Sequence, residues 1–253
     1  MQSLKALLEQ RIGLTEEVTL ASLPNFLEKF SQAIPFENLR IINQEASPLT
    51  KAELHEKILL RNEGGVCYEL NTLLYYYLLE EGWNVTMLTA CIYNQQENVW
   101  SATGNTHVTI LLEHKGKKFI VDAGFGANIP LAPVPINGQA ISTPNGLFRI
   151  KQQDRFYLLE LNLANRDHNW RIGYRFSEAN KITDVKQLEQ IQKRIETDAA
   201  SPFNKSPLLT KRTAAGLFTL TPTSFTEWSN GVAAKQTINE DTYHMMLKTK
   251  FNI

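Results

Sequence analysis

The sequence predicts a mixed α/β protein of the α+β kind, with helices first, an antiparallel sheet or barrel in the middle and a mixture of both at the end. Three observations predict it. Apolar residues recur at helical spacing through the first eighty positions. After Gly82 the period changes to two and β-branched residues become common. From Thr183 one helical pattern is followed by further short strands, which divides the chain into subdomains 1–82, 83–180 and 181–253.

Four runs make the helical part. Leu4, Leu7, Leu8 and Ile12 share a face before Gly13, and Leu23, Phe26, Leu27, Phe30 and Ile34 do so between Ser22 and Pro35. Thr50 and Glu53 have capping-box spacing at the head of a third helix, which continues through Leu54, Ile58 and Leu59. A fourth begins near Cys67 and runs through Leu70, Leu73, Leu74, Tyr77 and Leu78 to a stop at Gly82. The segments "NVTMLTACIY", "HVTILLE", "KKFIVDAGFG", "RFYLLELNL" and "WRIGYRF" then read as strands. Between Ile129 and Gly146 lie four of the ten prolines, which predicts an extended surface crossing without an element of its own. A helix follows from Thr183, with Val185, Leu188, Ile191 and Ile195 inward, then the polar loop "ETDAASPFNKSP", more strands and a short helix near Tyr243.

With 43% apolar residues over 253 positions, the chain has ample material for a core. Its 26 Lys and Arg balance 26 Asp and Glu, so no net field draws nucleic acid or an anionic membrane, and neither is expected as a partner. The stretch "MQSLKALLEQRIG" carries charges throughout and lacks the apolar run of a signal peptide or membrane span, which predicts a cytoplasmic protein. Two cysteines, Cys67 and Cys91, are too few for a disulfide framework or a Cys-rich zinc site. Cys91 lies in a strand with no acid or histidine at useful spacing and reads as core.

Cys67 differs because it follows "RNEGGV" and heads a helix. Free amides and the helix dipole at that position favour an anionic sulfur. Gly64 and Gly65 would let the backbone turn sharply and let a substrate carbonyl approach. A nucleophilic thiol also needs a base. His55, His114, His168 and His244 sit in charged or polar settings, whereas His107 opens the strand "HVTILLE". If Lys115 and Gly116 are the central residues of the hairpin that follows, paired positions sum to 231. Thr109 then faces Asp122, and His107 and Asp122 become diagonal neighbours on one face. The carboxylate can orient the imidazole, completing a Cys67, His107, Asp122 triad.

These segments resemble the arylamine N-acetyltransferase family along most of the chain: "LEQRIG", "IPFENL", "GGVCYELN", "THVTILL", "VDAGFG" and, more loosely, "TDAASPF", in the family's order. The resemblance implies a helical bundle, an antiparallel β-barrel and an α/β lid with a cysteine-protease-like catalytic core. It implies ping-pong transfer of an acetyl group from acetyl-coenzyme A, through an acetyl-Cys67 intermediate, to an arylamine, an arylhydrazine or a similar amine, with no metal. A thioester is an easy acyl donor for a thiolate, and a weakly basic amine stays unprotonated at neutral pH.

By the same resemblance Phe36, Phe125 and Phe203 form an aromatic acceptor pocket, and Thr103, Gly104, Ser201 and Phe203 contact the cofactor. Lys115, Lys117, Lys205, Lys211 or Arg212 are candidates for its phosphates. Backbone amides of Val66 and Cys67, or of Thr103 and Gly104, are candidate oxyanion donors, which places Val66 at the substrate. One position departs from the family. Glu63 stands where an arginine normally precedes the glycine pair and faces the glutamate of "PFEN", here Glu37. Arg61 or Arg40 is expected within salt-bridge reach of Glu37 or Glu63. A cysteine hydrolase or transglutaminase-like enzyme would use the same triad, and a descendant that only binds coenzyme A is the alternative that Glu63 raises. Preferred amine, acyl-donor length and oligomeric state stay open.

Overall fold

The computed structural model of the chain describes residues 3–164 and 166–253. Helix α1 (Leu4–Ile12) starts where the Ser3 hydroxyl accepts the Ala6 amide at 3.1 Å and ends at Gly13, whose φ of 64° only glycine adopts without strain. Helix α2 (Leu23–Ala33) buries Leu23, Phe26, Leu27 and Phe30. After β1 (Phe36–Glu37) come two short helices, α3 (Leu39–Ile42) and α4 (Lys51–Leu54). The helix expected to run on from Thr50 widens instead into a π-helical segment, His55–Leu60. That widening turns three successive residues, Lys57, Ile58 and Leu59, inward. Helix α5 (Cys67–Glu80) runs through the middle of the bundle, with every residue from Cys67 to Leu74 buried.

A curled antiparallel sheet follows. Its strands are β2 (Asn84–Asn94), β3 (Val99–Trp100), β4 (His107–His114), β5 (Lys117–Val121), β6 (Val134–Pro135), β7 (Ile141–Thr143), β8 (Gly146–Gln153), β9 (Phe156–Leu163) and β10 (Arg171–Lys181). They are ordered β6-β5-β4-β2-β10-β9-β8-β7, with β3 on β2, and β6 comes back against β8 so that the sheet is a nearly closed barrel. The proline-rich crossing therefore holds two short strands, β6 and β7. Pro135, which has no amide to donate, sits on the outermost strand, where none is needed. Strand β8 escaped the alternation pattern because Leu147 is exposed between inward Gly146 and Phe148.

Helix α6 (Val185–Thr197) is capped by Asp184, and Leu188, Ile191 and Ile195 join the core of α1, α2 and α5. A second sheet, ordered β1-β11-β12-β13-β14, consists of β11 (Leu209–Thr213), β12 (Gly216–Thr221), β13 (Ser224–Ser229), β14 (Val232–Thr237) and the early β1. The C-terminal helix α7 (Glu240–Met246) covers it through Tyr243 and Met246. Pairing of Phe36 with Thr210 and Glu37 with Leu209 binds the N-terminal region to this late sheet, and Asn38 reinforces the join. Its Nδ2 donates to the carbonyls of Phe203 and Ser206 at 2.7 and 2.9 Å, and its Oδ1 accepts the Leu208 amide at 2.7 Å. No helix among the described residues is long and apolar enough to cross a membrane.

Candidate active site

Cys67 is the first residue of α5 and is 6% exposed at the base of a pocket of about 420 Å³. Two glycines put it there, and close packing requires both. A Cβ on Gly64 would stand 2.2 Å from the Pro35 carbonyl oxygen, and one on Gly65 would stand 2.9 Å from the Glu69 side chain. The pair is needed so that the segment can lie against β1 and under Glu69. The Gly65 carbonyl accepts the Glu37 amide at 3.0 Å, and the Gly65 amide donates to the Pro35 carbonyl at 3.3 Å.

The hairpin joining β4 to β5 has the expected register: Ile110 faces Val121 and His114 faces Lys117, pairs that sum to 231. Lys115 and Gly116 occupy its tip with φ of 50° and 74°. Strand β5 ends at Val121, and Asp122 follows it on the face that His107 shares. His107 Nε2 lies 2.7 Å from Asp122 Oδ2, both side chains being buried. The other carboxylate oxygen, Oδ1, accepts Asn71 Nδ2 at 2.9 Å and the Gly124 amide at 2.8 Å. Asn71, one turn along α5 from Cys67, also donates to the Val108 carbonyl at 2.7 Å and accepts the Ala123 amide at 2.8 Å. One side chain thus ties the cysteine helix to both strands of the hairpin. Gly124 completes the fit, since a Cβ there would stand 2.6 Å from the Cys67 Cα.

Burial alone would push the His107 imidazolium down, but the Asp122 charge and hydrogen bond, with the Cys67 sulfur acting on the same ring, carry it up to about 10. Burial likewise works against ionised Asp122, yet His107, Asn71 and the Gly124 amide outweigh it and hold that carboxyl below its ordinary value. The Cys67 Sγ also lies 3.8 Å from the Thr106 carbonyl oxygen. The cluster can therefore keep a charged imidazole between a carboxylate and a sulfur at neutral pH, the arrangement of an activated nucleophile.

The family model for N-acetyltransferases matches residues 19–253. The chain belongs to this family. An uncharacterised acetyltransferase of Bacillus subtilis strain 168, YvcN, is 33% identical to this N-acetyltransferase over 245 residues, 96% of this chain and 95% of that protein. The crystal structure of arylamine N-acetyltransferase C from Bacillus anthracis is 35% identical and superposes with a TM-score of 0.93 over 100% of this chain and 99% of that one. The NAT3 arylamine N-acetyltransferase from Bacillus cereus, 33% identical, superposes with a TM-score of 0.92 over 100% of this chain and 99% of its own. That enzyme has a Cys-His-Glu catalytic triad. The carboxylate against His107 in this family member is an aspartate.

Of the other residues expected at the acetyltransferase's site, Phe36, Phe125, Phe203 and Thr103 line the pocket. Phe36 and Phe203 have ring centroids 5.5 Å apart, and Phe125 lies 5.3 Å from the His107 ring. Val66, Gly104 and Ser201 do not line it. Val66 is 1% exposed and its amide donates to Glu69 Oε2 at 3.1 Å; the Gly104 amide donates to the Ser101 carbonyl at 2.9 Å. As oxyanion donors these two amides are already committed, which leaves those of Cys67 and Thr103. Ser201 sits behind the lining and caps the short turn Pro202–Asn204 by accepting the Phe203 amide.

Among the candidate cations for cofactor phosphates, Lys115 and Lys117 lie at the far tip of the β4–β5 hairpin, where Lys117 pairs with His114, a residue roughly 23 Å along the strand from His107. Lys211 Nζ donates to the Lys250 carbonyl at 3.3 Å, and Arg212 is buried against Asn145. Lys205 is exposed two residues beyond Phe203.

The acidic cluster beside the glycine pair resolves in a way only half expected. Arg40 takes Glu63, with Nε to Oε2 at 2.6 Å and Nη2 to Oε1 at 2.8 Å, while Arg61 turns to Glu56 on the surface. Glu37 is served instead by Lys57, a residue that the periodicity assigned no role. Lys57 Nζ is buried, donates to Glu69 Oε1 and lies 3.8 Å from Glu37 Oε1. Only the π-helical segment places a lysine there, and "HEKILL" carries no signal that distinguishes it from a surface turn. Asn71, Lys57 and Tyr174, whose ring is 4.8 Å from that of His107, are the functional neighbours that pattern reading missed.

Proposed function

We propose that Cys67, His107 and Asp122 carry acetyl transfer from acetyl-coenzyme A to an arylamine, arylhydrazine or similar weakly basic amine by a ping-pong mechanism. The single observation that carries the reading is an imidazole held between a buried aspartate and a helix-initial cysteine at the floor of an aromatic pocket. In the first half-reaction the Cys67 sulfur attacks the thioester carbonyl, the carbon–sulfur bond to coenzyme A breaks, and the departing thiolate takes the His107 proton. In the second, the amine nitrogen attacks the acetyl carbonyl on Cys67. His107, now neutral, accepts the amine's proton, and the Cys67 thiolate leaves. Asp122 stays ionised throughout, stabilising the imidazolium of the free enzyme and orienting the neutral imidazole of the acetyl-enzyme.

The amides of Cys67 and Thr103 are the proposed donors to the developing oxyanion. Phe36, Phe125 and Phe203 offer faces and edges for an aryl ring, and exposed Lys205 is the proposed contact for a phosphate of the donor. The Arg40–Glu63 pair supports the intact enzyme over an inactive descendant, because Glu63 is neutralised without disturbing Cys67. Residues 1–82, 83–180 and 181–253 are proposed as the bundle, barrel and lid, although α6 belongs to the bundle's core and β1 to the lid's sheet. Two free thiols fit a reducing compartment such as the cytoplasm.

Intact-mass analysis after exposure to acetyl-coenzyme A tests the proposal. One acetyl group is expected on the native chain and none on Cys67→Ala. Release of coenzyme A that needs no amine and leaves free acetate would instead establish a hydrolase.

A further inference from the structure

A second pocket, of about 250 Å³, includes Asn145, Arg166, Arg212, Gly216, Trp228 and Asn230 in its lining, and none of these lines the Cys67 pocket. Two guanidinium groups meet there on one neutral acceptor: Arg166 Nη2 and Arg212 Nη1 donate to Asn145 Oδ1 at 2.8 and 3.0 Å. That carboxamide is fixed with its oxygen toward the arginines, because its Nδ2 donates to the carbonyls of Ala127 and Ile129 at 3.2 and 2.8 Å. Arg166 Nη2 also reaches the Ala127 carbonyl at 3.1 Å, and its guanidinium lies 5.7 Å from the centre of the Trp228 ring.

Neither arginine has a carboxylate within salt-bridge reach among the described residues. The nearby Asp167 is taken by Arg171 at 2.8 Å and by the Leu163 amide at 2.9 Å. Arg212 is 9% exposed, and its Nε–H is sealed from solvent without an acceptor. Arg212 Nη2 and Arg166 Nε and Nη1 donate to no described protein atom either, yet are not sealed, so their hydrogens remain open to a ligand. Two converging cations facing one amide oxygen are an unbalanced charge in a half-buried place, which an anion presenting two acceptor oxygens would balance. Burial pushes both guanidinium groups down, Arg166 to about 10 with the Arg212 charge adding to the effect.

We propose that this pocket binds a small oxyanion, the carboxylate or phosphate group of a ligand, held between the guanidinium groups of Arg166 and Arg212. The site adjoins the reaction pocket through shared backbone. Strand β11 carries Arg212 and, two positions earlier on the same face, Thr210, a lining residue of the Cys67 pocket. The Ala127 carbonyl held by Arg166 and Asn145 belongs to another lining residue of that pocket. An anion that draws the two arginines together therefore acts on one wall of the pocket without entering it. Free phosphate, a carboxylate metabolite and the phosphates of coenzyme A share the chemistry required.

The test titrates phosphate, and separately citrate, into the full chain at ionic strength held constant with chloride. It follows the thermal midpoint and the arginine Nε–H signals by NMR. A saturable rise in midpoint with displacement of the Arg212 signal is expected, weakened on the order of tenfold or more in affinity by Arg166→Gln. That variant alters a half-exposed side chain and so retains the fold even if Arg212→Gln does not. In the Cys67→Ala chain, competition by coenzyme A but not by its 3′-dephospho form would identify the cofactor's 3′-phosphate as the occupant. Competition by both would point to its pyrophosphate, and by neither to a free anion; each supports the site. Identical midpoints in phosphate, citrate and chloride, or an equal rise in native and Arg166→Gln chains, overturn it.

Discussion

Arg40 grips Glu63 through two parallel hydrogen bonds, Nε to Oε2 at 2.6 Å and Nη2 to Oε1 at 2.8 Å, and so neutralises the one residue that departs from the family's usual arginine. The pair is partly exposed, which limits its worth. A double-mutant cycle with Arg40→Met and Glu63→Gln is expected to return a coupling of about 1 kcal/mol in urea unfolding, at the top of the range for pairs with water access because the geometry is bidentate. Acetylation of Cys67 should persist in both single variants.

Lys57 serves two buried carboxylates. Removing it by Lys57→Met leaves Glu37 and Glu69 without their cation and should cost about 3–5 kcal/mol. Equilibrium unfolding measures it, and a loss below 1 kcal/mol would show that the cluster is neutral by other means.

Glu37 responds to pH in the opposite sense from most carboxylates. Burial raises it above its ordinary value against the pull of Lys57, so the folded chain holds that proton more tightly than the unfolded one. Its contribution to stability is complete below the unfolded value of 4.5 and is lost as pH rises through the folded one. Glu37→Gln, which keeps the shape without the charge, should therefore gain on the native chain as pH increases from 4 to 8. Unfolding curves at the two pH values check the sign.

The His107–Asp122 pair has its own window. His107, raised to about 10 from 6.5, gives stability that is complete below 6.5 and fades toward 10; Asp122, lowered from 3.8, gives stability that fades as pH falls below 3.8. The native chain should exceed Asp122→Asn in stability most between about pH 4 and 6.5, and least near pH 10. The same variant should slow acetylation of Cys67 on the order of 10³-fold or more, because the imidazole loses its orienting charge.

Gly124→Ala tests the fit between helix and hairpin. Its new Cβ would stand 2.6 Å from the Cys67 Cα and 2.7 Å from Asn71 Nδ2, both held by packing. The hairpin must move, at about 1–3 kcal/mol. A displacement of even 1 Å at the reacting atoms should lower the acetylation rate on the order of a hundredfold. Retained activity would mean that the hairpin is not what positions His107.

Sequence pattern alone missed strands β6, β7 and β8 but carried the succession of helices, antiparallel strands and a final mixture, the hairpin register and the three side chains of the proposed triad. Those follow from short-range rules: capping at Thr50, alternation in β4 and β5, and a turn whose two central residues determine every pairing behind it. The nucleophile's glycines were visible too, though the packing that requires them was not. It lies in the approach of Pro35 and Glu69 from elsewhere in the chain. Lys57 inside the bundle, Asn71 across the hairpin, Asn38 against residues 203–208 and the two arginines on Asn145 were decided by tertiary structure. Each is a polar side chain whose partners lie more than ten residues away, so no local period encodes it. Such a residue looks like surface until the fold removes it from water and compels it to find a partner.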